Sequence, residues 1–254
     1  MQQTPWIYGI ARTRWRLQDL GQVITWMHEL SLARVSRLLW QLGFRRKQGL
    51  YFVRSPDPNF RYKWQAVLQA YAQALERPGE VIILFLDELT YYRQPEKTKV
   101  YSAQGKPQPK AFQTPQYNTQ TRLVAVLNGV TGQVNYLQRK IIGKEALVAF
   151  YAQVRAAYPT AARIYVVQDN WPTHKTQEVL AALQEHGLTP LFLPTYASWL
   201  NPIEKLWRWL KQDILHQHIW SHDLERLREK VLDFLNGFQG SSETLLRYTG
   251  LLSV

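Results

Sequence analysis

The longest uninterrupted run of aliphatic and aromatic residues in this chain is VIILFL at residues 81–86, and Asp87 and Glu88 follow it directly. A run this apolar and this short is typical of a central strand that is covered on both faces. Further short apolar runs alternate with segments of helical periodicity through the rest of the sequence. The pattern predicts a three-layer α/β domain with a mixed sheet flanked by helices.

The same alternation predicts the order of the elements. Strands are predicted at residues 81–88, 121–129, 134–140, 163–169 and 189–194. Helices are predicted at residues 60–76, 144–157, 175–186, 201–211 and 222–237. The segment SPDPNF at residues 55–60 interrupts the pattern and marks a boundary, so the helix that begins there is expected to connect two domains.

Ahead of this boundary, residues 15–28 and 31–42 both show helical periodicity. The second segment begins with Ser31, a residue suited to an N-cap, and ends before Gly43. Two short helices joined by a tight turn favour a small all-α helix-turn-helix domain, in which the second helix recognises DNA. An ordinary helical hairpin with solvated arginines is the alternative.

The predicted recognition helix carries Arg34 and Arg37 on its outer face, where they would contact DNA. The residues expected to pack inward are Val35, Leu38, Leu39 and Leu42. The segment FRRKQGLYFVRSPDP follows, and its Gly49 is placed like the turn of a small hairpin, or wing. The basic residues of this segment that we expect on DNA are Arg45, Arg46 and Lys47.

The chain has a formal net charge of +12. Residues 1–65 alone contain 11 Lys or Arg and three Asp or Glu. Positive charge of this size favours a polyanionic partner, because each phosphate that is neutralised releases condensed counterions. Nucleic acid is the leading candidate, although many soluble proteins are basic for other reasons.

Composition also limits the kinds of metal site. The absence of cysteine excludes disulfides and thiolate sites, and the six histidines lack the spacing of a zinc site. Any metal is therefore expected on carboxylates. The run at residues 81–86 is far shorter than the roughly 20 residues that span a bilayer, and the start of the sequence lacks a signal-peptide pattern. We therefore expect a soluble, intracellular protein with no membrane association.

Two aspartates occupy the same place relative to two predicted strands. Asp87 ends one, and Asp169, which precedes Asn170, ends another. Each alone is more often a turn residue. If the two strands are neighbours, however, the carboxylates converge, and their repulsion calls for a divalent cation. Two Mg²⁺ ions about 4 Å apart could then activate an attacking oxygen and stabilise a leaving oxygen in phosphodiester cleavage.

A third carboxylate, Glu204, comes 34 residues after Asp169, which leaves room for a helix, a strand, a loop and the first turn of another helix. Asn201, Pro202 and Glu204 also match an N-cap, a first-turn proline and a capping-box glutamate. Glu204 is thus a candidate third ligand or only part of a helix cap. Trp207 falls on the buried stripe of the same helix and is expected to be a core residue.

The order and spacing of several motifs resemble a known family. The catalytic signature of mariner-superfamily DDE transposases, in their bacterial insertion-sequence branch, is similar to FLDE (85–88), VVQDNWPTHKT (166–176) and LPTYASWLNPIEKLWRWLK (193–211). The DNA-binding region and linker of that branch are similar to YGIARTRWRLQDL, VSRLLWQLGF and VRSPDP. The resemblance covers nearly the whole chain.

The resemblance implies an RNase H-like catalytic fold in which Asp87, Asp169 and Glu204 are catalytic and bind two Mg²⁺ ions, with Mn²⁺ able to substitute. The implied domains are a helix-turn-helix domain at 1–58, a linker helix at 59–78 and a catalytic domain at 79–254. The implied enzyme cuts double-stranded DNA at the ends of an insertion element. It then joins the 3′-OH to target DNA at a TA dinucleotide. It would act as a homodimer on DNA, in the cytoplasm and nucleoid of a bacterium.

Residues around the triad have expected roles of their own. Asn170 and His174 are expected to position ligands or to contact substrate, with a turn and a surface histidine as the alternative. Asn201 would cap the helix that carries Glu204. Glu88 would point to the face of its strand opposite Asp87 and is expected to be structural. Lysines in the basic loop at residues 91–110 are expected to contact the DNA backbone, with a solvated hairpin as the alternative.

Two other functions fit the same residues. An RNase H-fold nuclease of repair or junction resolution would use the same triad without an end-specific helix-turn-helix. A truncated transposase remnant would bind DNA without cutting it. Members of the insertion-sequence branch usually carry a further DNA-binding helical unit ahead of the one seen here. Three alternatives stay open: the chain acts alone, it needs a second polypeptide for activity, or it only binds DNA.

Overall fold

The structure, a computed structural model, describes residues 4–47 and 54–252. The chain separates into two compact units, with the division between residues 52 and 53. The first unit is helical, and the second is an α/β unit with a mixed sheet.

Over residues 4–47, the first unit contains two α-helices, α1 at Leu17–Val23 and α2 at Leu32–Gln41, and 3₁₀ turns at Pro5–Tyr8 and Thr25–Met27. Its core consists of Leu20, Met27 and Val35, which are at most 3% exposed. The helix predicted at residues 15–28 is shorter than expected, since α1 covers only Leu17–Val23. It ends because Ile24 adopts an extended conformation, after which only a single 3₁₀ turn forms.

The predicted ends of α2 are confirmed. The Ser31 hydroxyl accepts a hydrogen bond from the Arg34 backbone N–H at 3.3 Å, and Gly43 follows the helix with a φ of +83°. Arg34 and Arg37 are exposed, as expected for an outer face. The inward placement of Leu42 is wrong, because this residue leaves the helix as its C-cap and is 61% exposed.

The basic segment after α2 is described only as far as residue 47. Arg45 donates to the Trp40 carbonyl at 2.6 Å, and its guanidinium lies over the Trp40 ring at 4.5 Å. Arg45, Arg46 and Lys47 are all exposed. The predicted wing turn at Gly49 lies outside the described residues.

Within residues 54–252, five strands form one sheet. They are β1 at Val81–Tyr92, β2 at Gln120–Asn128, β3 at Val134–Arg139, β4 at Arg163–Gln168 and β5 at Leu188–Phe192. The order across the sheet is β3-β2-β1-β4-β5. The β1–β2 and β2–β3 pairs are antiparallel, whereas β1–β4 and β4–β5 are parallel, so the predicted mixed sheet is confirmed.

Helices cover both faces of this sheet. One face is covered by α3 at Phe60–Glu76, α6 at Ile203–Leu210, α7 at Leu224–Asn236 and α8 at Glu243–Thr249. The other face is covered by α4 at Lys144–Ala157 and α5 at Gln177–Glu185. Further turns lie at Pro172–Lys175 and Ser198–Leu200 (3₁₀) and at Lys211–Leu215 (π). No helix in the described residues is long and apolar enough to cross a membrane.

Two features at the start of the second unit differ from the sequence analysis. The segment 59–78, expected to be a linker, contains α3, whose Val67, Ala70 and Ala74 are at most 3% exposed and belong to the core of this unit. Residues 54–58, assigned by sequence to the first domain, lie with the second unit. Apolar residues spaced along one face of α3 cover the sheet, which explains why this helix does not act as a free connector.

Asp57 anchors the start of this unit to the loop that follows β5. Its carboxylate accepts hydrogen bonds from the Thr195 backbone N–H at 2.9 Å and from the Asn59 N–H at 2.9 Å. Lys63 Nζ lies 2.7 Å from the same group, and the Asp57 side chain is 4% exposed. The Ser55 hydroxyl donates to the Thr195 carbonyl at 2.6 Å. The contacts fix the loop that leads towards α6.

Asp57→Asn should lower the melting temperature at about pH 7, because Lys63 and the Thr195 amide hold the pKa of Asp57 well below its ordinary value. A lowered folded-state pKa adds stability above the unfolded-state pKa, near 4, and this gain is lost as the pH falls below that value. The difference from wild type should therefore be smaller at about pH 3.5. Thermal unfolding followed by circular dichroism measures it.

The control for this substitution is Glu76→Gln, which changes an exposed acid at the end of α3. It should leave the melting temperature unchanged at both pH values. Equal melting temperatures of wild type and Asp57→Asn at about pH 7 would show that the Asp57 contacts do not stabilise the loop.

Candidate active site

The two aspartates meet because β1 and β4 are parallel neighbours. The last paired residues in their register are Phe85 and Val167, so Asp87 and Asp169 each lie two positions beyond this pair. Asp169 directly follows the last residue of β4, as the sequence predicted. Parallel strands in register bring residues at equivalent positions to the same edge. The expectation that the two strands are neighbours is confirmed.

Asp87 is not at the end of its strand, which corrects the prediction. Strand β1 continues to Tyr92, and Asp87 is paired opposite Ala125 of the antiparallel β2. The β4 side of β1 nevertheless lies open at this level, because β4 has already ended. Among the described residues, Asp87 is therefore paired with a strand on its β2 side and has no paired residue on its β4 side, where its ionisable side chain can be accommodated.

Helix α6 contributes the third acid. Ile203, Leu206 and Leu210 are completely buried and attach one face of α6 to the core. Glu204 lies on another face and is half-buried. Arg208 lies on the same side and is close enough to act on the charge of Glu204.

The three carboxylates influence one another. Burial, followed by the charges of Glu204 and Glu88, raises the pKa of Asp87 to about 8. Burial also raises the pKa of Glu204, to which Asp169 adds, while Lys211 and Arg208 oppose the shift. Asp87 and Glu204 thus lie in a poorly solvated region and repel each other, and Asp169, whose side chain is 50% exposed, adds negative charge beside Glu204.

Trp207 makes a contact with Asp87 that the sequence analysis did not predict. It is 2% exposed and belongs to the core, as predicted, but its indole Nε1–H also donates to Asp87 Oδ2 at 2.9 Å. The bond lowers the pKa of Asp87 and so opposes the effect of burial. A buried tryptophan normally requires an acceptor for its N–H, and that requirement was the available signal.

Asn201 does not cap α6, which corrects the sequence prediction. Its side-chain amide donates to the Leu86 carbonyl of β1 at 2.8 Å, and α6 begins at Ile203 without a side-chain cap. The capping box is therefore not formed. Asn201 is 4% exposed, and its amide satisfies a backbone carbonyl of β1 instead of a backbone N–H at the start of the helix. The bond ties the start of α6 to the residue next to Asp87.

Asn170 joins the loops that follow β4 and β5. Its amide Nδ2 donates to the Leu193 carbonyl at 2.5 Å, and its Oδ1 accepts from Lys175 Nζ at 2.8 Å. Next to it, Asp169 Oδ1 accepts from the Trp171 backbone N–H at 2.8 Å. The turn after β4 is thereby held in one conformation.

His174 lies in the 3₁₀ turn after β4 and is completely buried, so the alternative of a surface histidine is wrong. Its Nε2 is 3.5 Å from Asp169 Oδ1 and 3.3 Å from Glu88 Oε1. Glu88 lies on the face of β1 opposite Asp87, as predicted, because the strand continues through both residues.

The side chains fit a divalent metal by their chemistry. Carboxylate oxygens are the ligands that Mg²⁺ prefers, and a bound cation would compensate the burial and the repulsion that together raise the pKa of Asp87. As they stand, no three His, Cys, Asp or Glu side chains within residues 4–47 and 54–252 form a group that could hold a metal ion. Binding would therefore require the carboxylates to turn towards a shared ion.

Without divalent cations, the free energy of unfolding should fall as the pH rises from about 4 to 8. Folded Asp87 keeps its proton up to a pKa of about 8, whereas the unfolded residue loses it near pH 4. One such group gives a slope of at most about 1.4 kcal/mol per pH unit. Asp87→Asn should remove this part of the slope, as measured by urea denaturation in EDTA.

Glu185→Gln provides the control, because Glu185 is an exposed acid on α5. It should leave the pH dependence of the unfolding free energy as in wild type. A slope that persists undiminished in Asp87→Asn would contradict the burial and repulsion assigned to Asp87.

The fold is similar to that of a solved transposase. The Mos1 transposase paired-end complex with left transposon end matches with a TM-score of 0.68 and 17% identity, over 93% of this chain and 70% of that chain. The Mos1 strand transfer complex matches with a TM-score of 0.67 and 18% identity, over 95% and 76% of the two chains. The predicted RNase H-like fold with an N-terminal helical region is confirmed.

Sequence comparison agrees with the fold. The 39 kDa protein of insertion element IS630 from Shigella sonnei, described as uncharacterized, is 25% identical over 239 residues, which are 92% of this chain and 68% of that protein. The family model described as DDE superfamily endonuclease matches residues 33–228, well over half of the sequence. The resemblance to DDE transposases is thus confirmed, and the chain belongs to the DDE superfamily endonuclease family.

Proposed function

We propose that this protein is a DNA transposase that cuts phosphodiester bonds at the ends of an insertion element and joins the freed 3′-OH to target DNA. The observation that carries the proposal is the register of β1 and β4, which brings Asp87 level with Asp169, together with the effect of the Glu204 charge on Asp87 and of the Asp169 charge on Glu204. The three residues occupy the positions that the DDE motifs of the sequence assign to catalysis.

In this proposal, Asp87, Asp169 and Glu204 hold two Mg²⁺ ions, for which Mn²⁺ can substitute. Such ions activate an attacking oxygen and stabilise a leaving oxygen. Two Mos1 complexes are described as containing Mg and Mn, respectively, which supports a divalent metal in this fold. The raised pKa values of Asp87 and Glu204 support it as well, because burial and neighbouring carboxylates make their negative charges unfavourable, and a cation would displace the proton and compensate those charges.

The neighbouring side chains orient these acids. Trp207 fixes one oxygen of Asp87 by donating to Oδ2. Asn201 sets the position of α6, and with it Glu204, relative to β1. Arg208 and Lys211 place positive charge beside Glu204, where a phosphodiester group would approach. Held in this way, the acids lose little freedom when substrate binds.

Double-stranded DNA is the proposed partner. The net charge of +12 favours it, and the exposed basic side chains of the first unit are the proposed contacts: Arg34, Arg37, Arg45, Arg46 and Lys47. In the loop after β1, the proposed backbone contacts are the exposed Lys97, Lys99, Lys106 and Lys110. One Mos1 structure is described as a paired-end complex with left transposon end, which supports the same kind of partner. A homodimer that joins two ends is part of the proposal.

Asp169→Asn and Glu204→Gln should each abolish Mg²⁺-dependent cleavage of a supercoiled plasmid that carries the DNA flanking this gene. Each change removes a charged ligand but keeps the shape of the side chain. Circular dichroism should show an unchanged fold, because neither side chain belongs to the core. Asp213→Asn, which alters an acid on the turn after α6, should cut like wild type.

The products separate the candidate functions. Cuts at the repeat ends by wild type alone support transposition, and cuts at branched DNA without end specificity would support a repair or resolution nuclease. Tight DNA binding without cleavage by any variant would support a binding-only remnant or one half of a two-chain enzyme.

Replacing Arg34 and Arg37 together with alanine should weaken DNA binding at all sequences that use these contacts. If both contact phosphates, the slope of log affinity against log salt should become shallower by about 2. Fluorescence anisotropy at several salt concentrations measures this slope. Arg139→Ala with Lys140→Ala removes the same charge at the exposed end of β3 and should change the slope less. An unchanged slope in the α2 variant would refute the recognition-helix assignment.

A further inference from the structure

Glu88 is a largely buried acid on β1, and its place in the strand does not explain why a carboxylate lies there. It follows Asp87 on β1 and points to the opposite face of the sheet, towards the layer of α4 and α5. Its side chain is 21% exposed, and its Oε1 is buried without a hydrogen bond. The charge of Glu88 acts on Tyr151, a buried residue of α4 whose pKa is raised first by burial.

The imidazole of His174 lies close to this oxygen. The imidazole is completely buried, and neither ring nitrogen makes a hydrogen bond with the protein. Its Nε2 lies 3.3 Å from Glu88 Oε1 and 3.5 Å from Asp169 Oδ1. The Trp171 ring packs edge-on against the imidazole at 5.4 Å. A buried polar group that lacks a hydrogen bond destabilises the folded state, so the position of His174 needs an explanation.

The two carboxylates determine which nitrogen carries the proton. A proton on Nε2 faces two acceptor oxygens, whereas a lone pair there would face two negative charges. The imidazole therefore presents its Nε2–H between Glu88 and Asp169. Asp169 Oδ1 already accepts the Trp171 N–H at 2.8 Å. Donation by Nε2–H to this oxygen as well, after a turn of the imidazole, would hold Asp169 by Oδ1 and leave Oδ2 for a cation.

We propose that Glu88 is a positioning residue: it orients His174, which in turn fixes the Asp169 carboxylate for metal binding. The inference deepens the proposed function and rests on it for the identity of the metal site. Glu88 would act from the face of the sheet opposite to Asp87. Residues that orient metal ligands in this way typically change metal affinity about 10- to 100-fold when they are replaced.

The test is Mn²⁺ binding to the full chain, followed by the electron paramagnetic resonance signal of free Mn²⁺. Glu88→Gln and His174→Ala should each weaken Mn²⁺ binding about 10-fold or more. The double variant should lose no more than the stronger single variant, because both residues act along one path. His174→Gln, whose amide N–H can take the place of Nε2–H, should recover most of the affinity.

Glu178→Gln is the matched control, since Glu178 is an exposed acid on α5 that pairs with Lys144. It should bind Mn²⁺ like wild type. The melting temperature of each variant, measured in EDTA, separates positioning from folding. A lower melting temperature with unchanged Mn²⁺ affinity would overturn the proposal, and so would losses that multiply in the double variant.

Cleavage assays distinguish this proposal from the proposed function. If wild type binds Mn²⁺ through Asp169 and the Glu88 and His174 variants bind it weakly, yet no protein cuts DNA, positioning stands and transposition fails. If wild type cuts DNA and the Glu88 and His174 variants bind Mn²⁺ normally, transposition stands and positioning fails. Mn²⁺ binding that Asp169→Asn leaves unchanged would overturn the positioning role.

Discussion

Repulsion between carboxylates in a poorly solvated region is the constraint on which the site depends. Parallel pairing of β1 and β4 brings Asp87 level with Asp169, and α6 adds Glu204. Such a group of acids is unfavourable unless hydrogen bonds or a cation compensate it. The hydrogen bond from Trp207 compensates part of it at Asp87, yet burial and the charges of Glu204 and Glu88 still raise the pKa of this residue. The remaining deficit is the physical reason to expect a metal.

Much of the fold follows from residues that repeat with a clear period. The bounds of α3 and α4 match their predictions because apolar residues mark one face over several turns. Helix α8 was not predicted, because a seven-residue helix offers too few turns for a periodic pattern. The shorter α1 depends on the extended backbone of Ile24, which a periodic pattern does not show.

The sequence predicts candidate site residues where they follow from spacing along the chain, but it does not predict side-chain contacts between elements that are distant in sequence. The three acids were proposed from strand ends, from the spacing between Asp169 and Glu204, and from a motif resemblance. The role of Asn201 was not, because its amide bonds to Leu86, 115 residues away, and local sequence suggests only a cap. The contact between Glu88 and His174 was missed for the same reason, since strand alternation predicts the face of a side chain but not its neighbour on another element.

The central claim is that Asp87, Asp169 and Glu204 share one divalent metal site. Anomalous diffraction from a crystal of this protein grown with Mn²⁺ tests that claim most directly. Manganese peaks within bonding distance of all three carboxylates, at about 2.0–2.3 Å as for other small divalent ions on oxygen, are the expected result. Manganese bound elsewhere, or bound without Glu204, would contradict it.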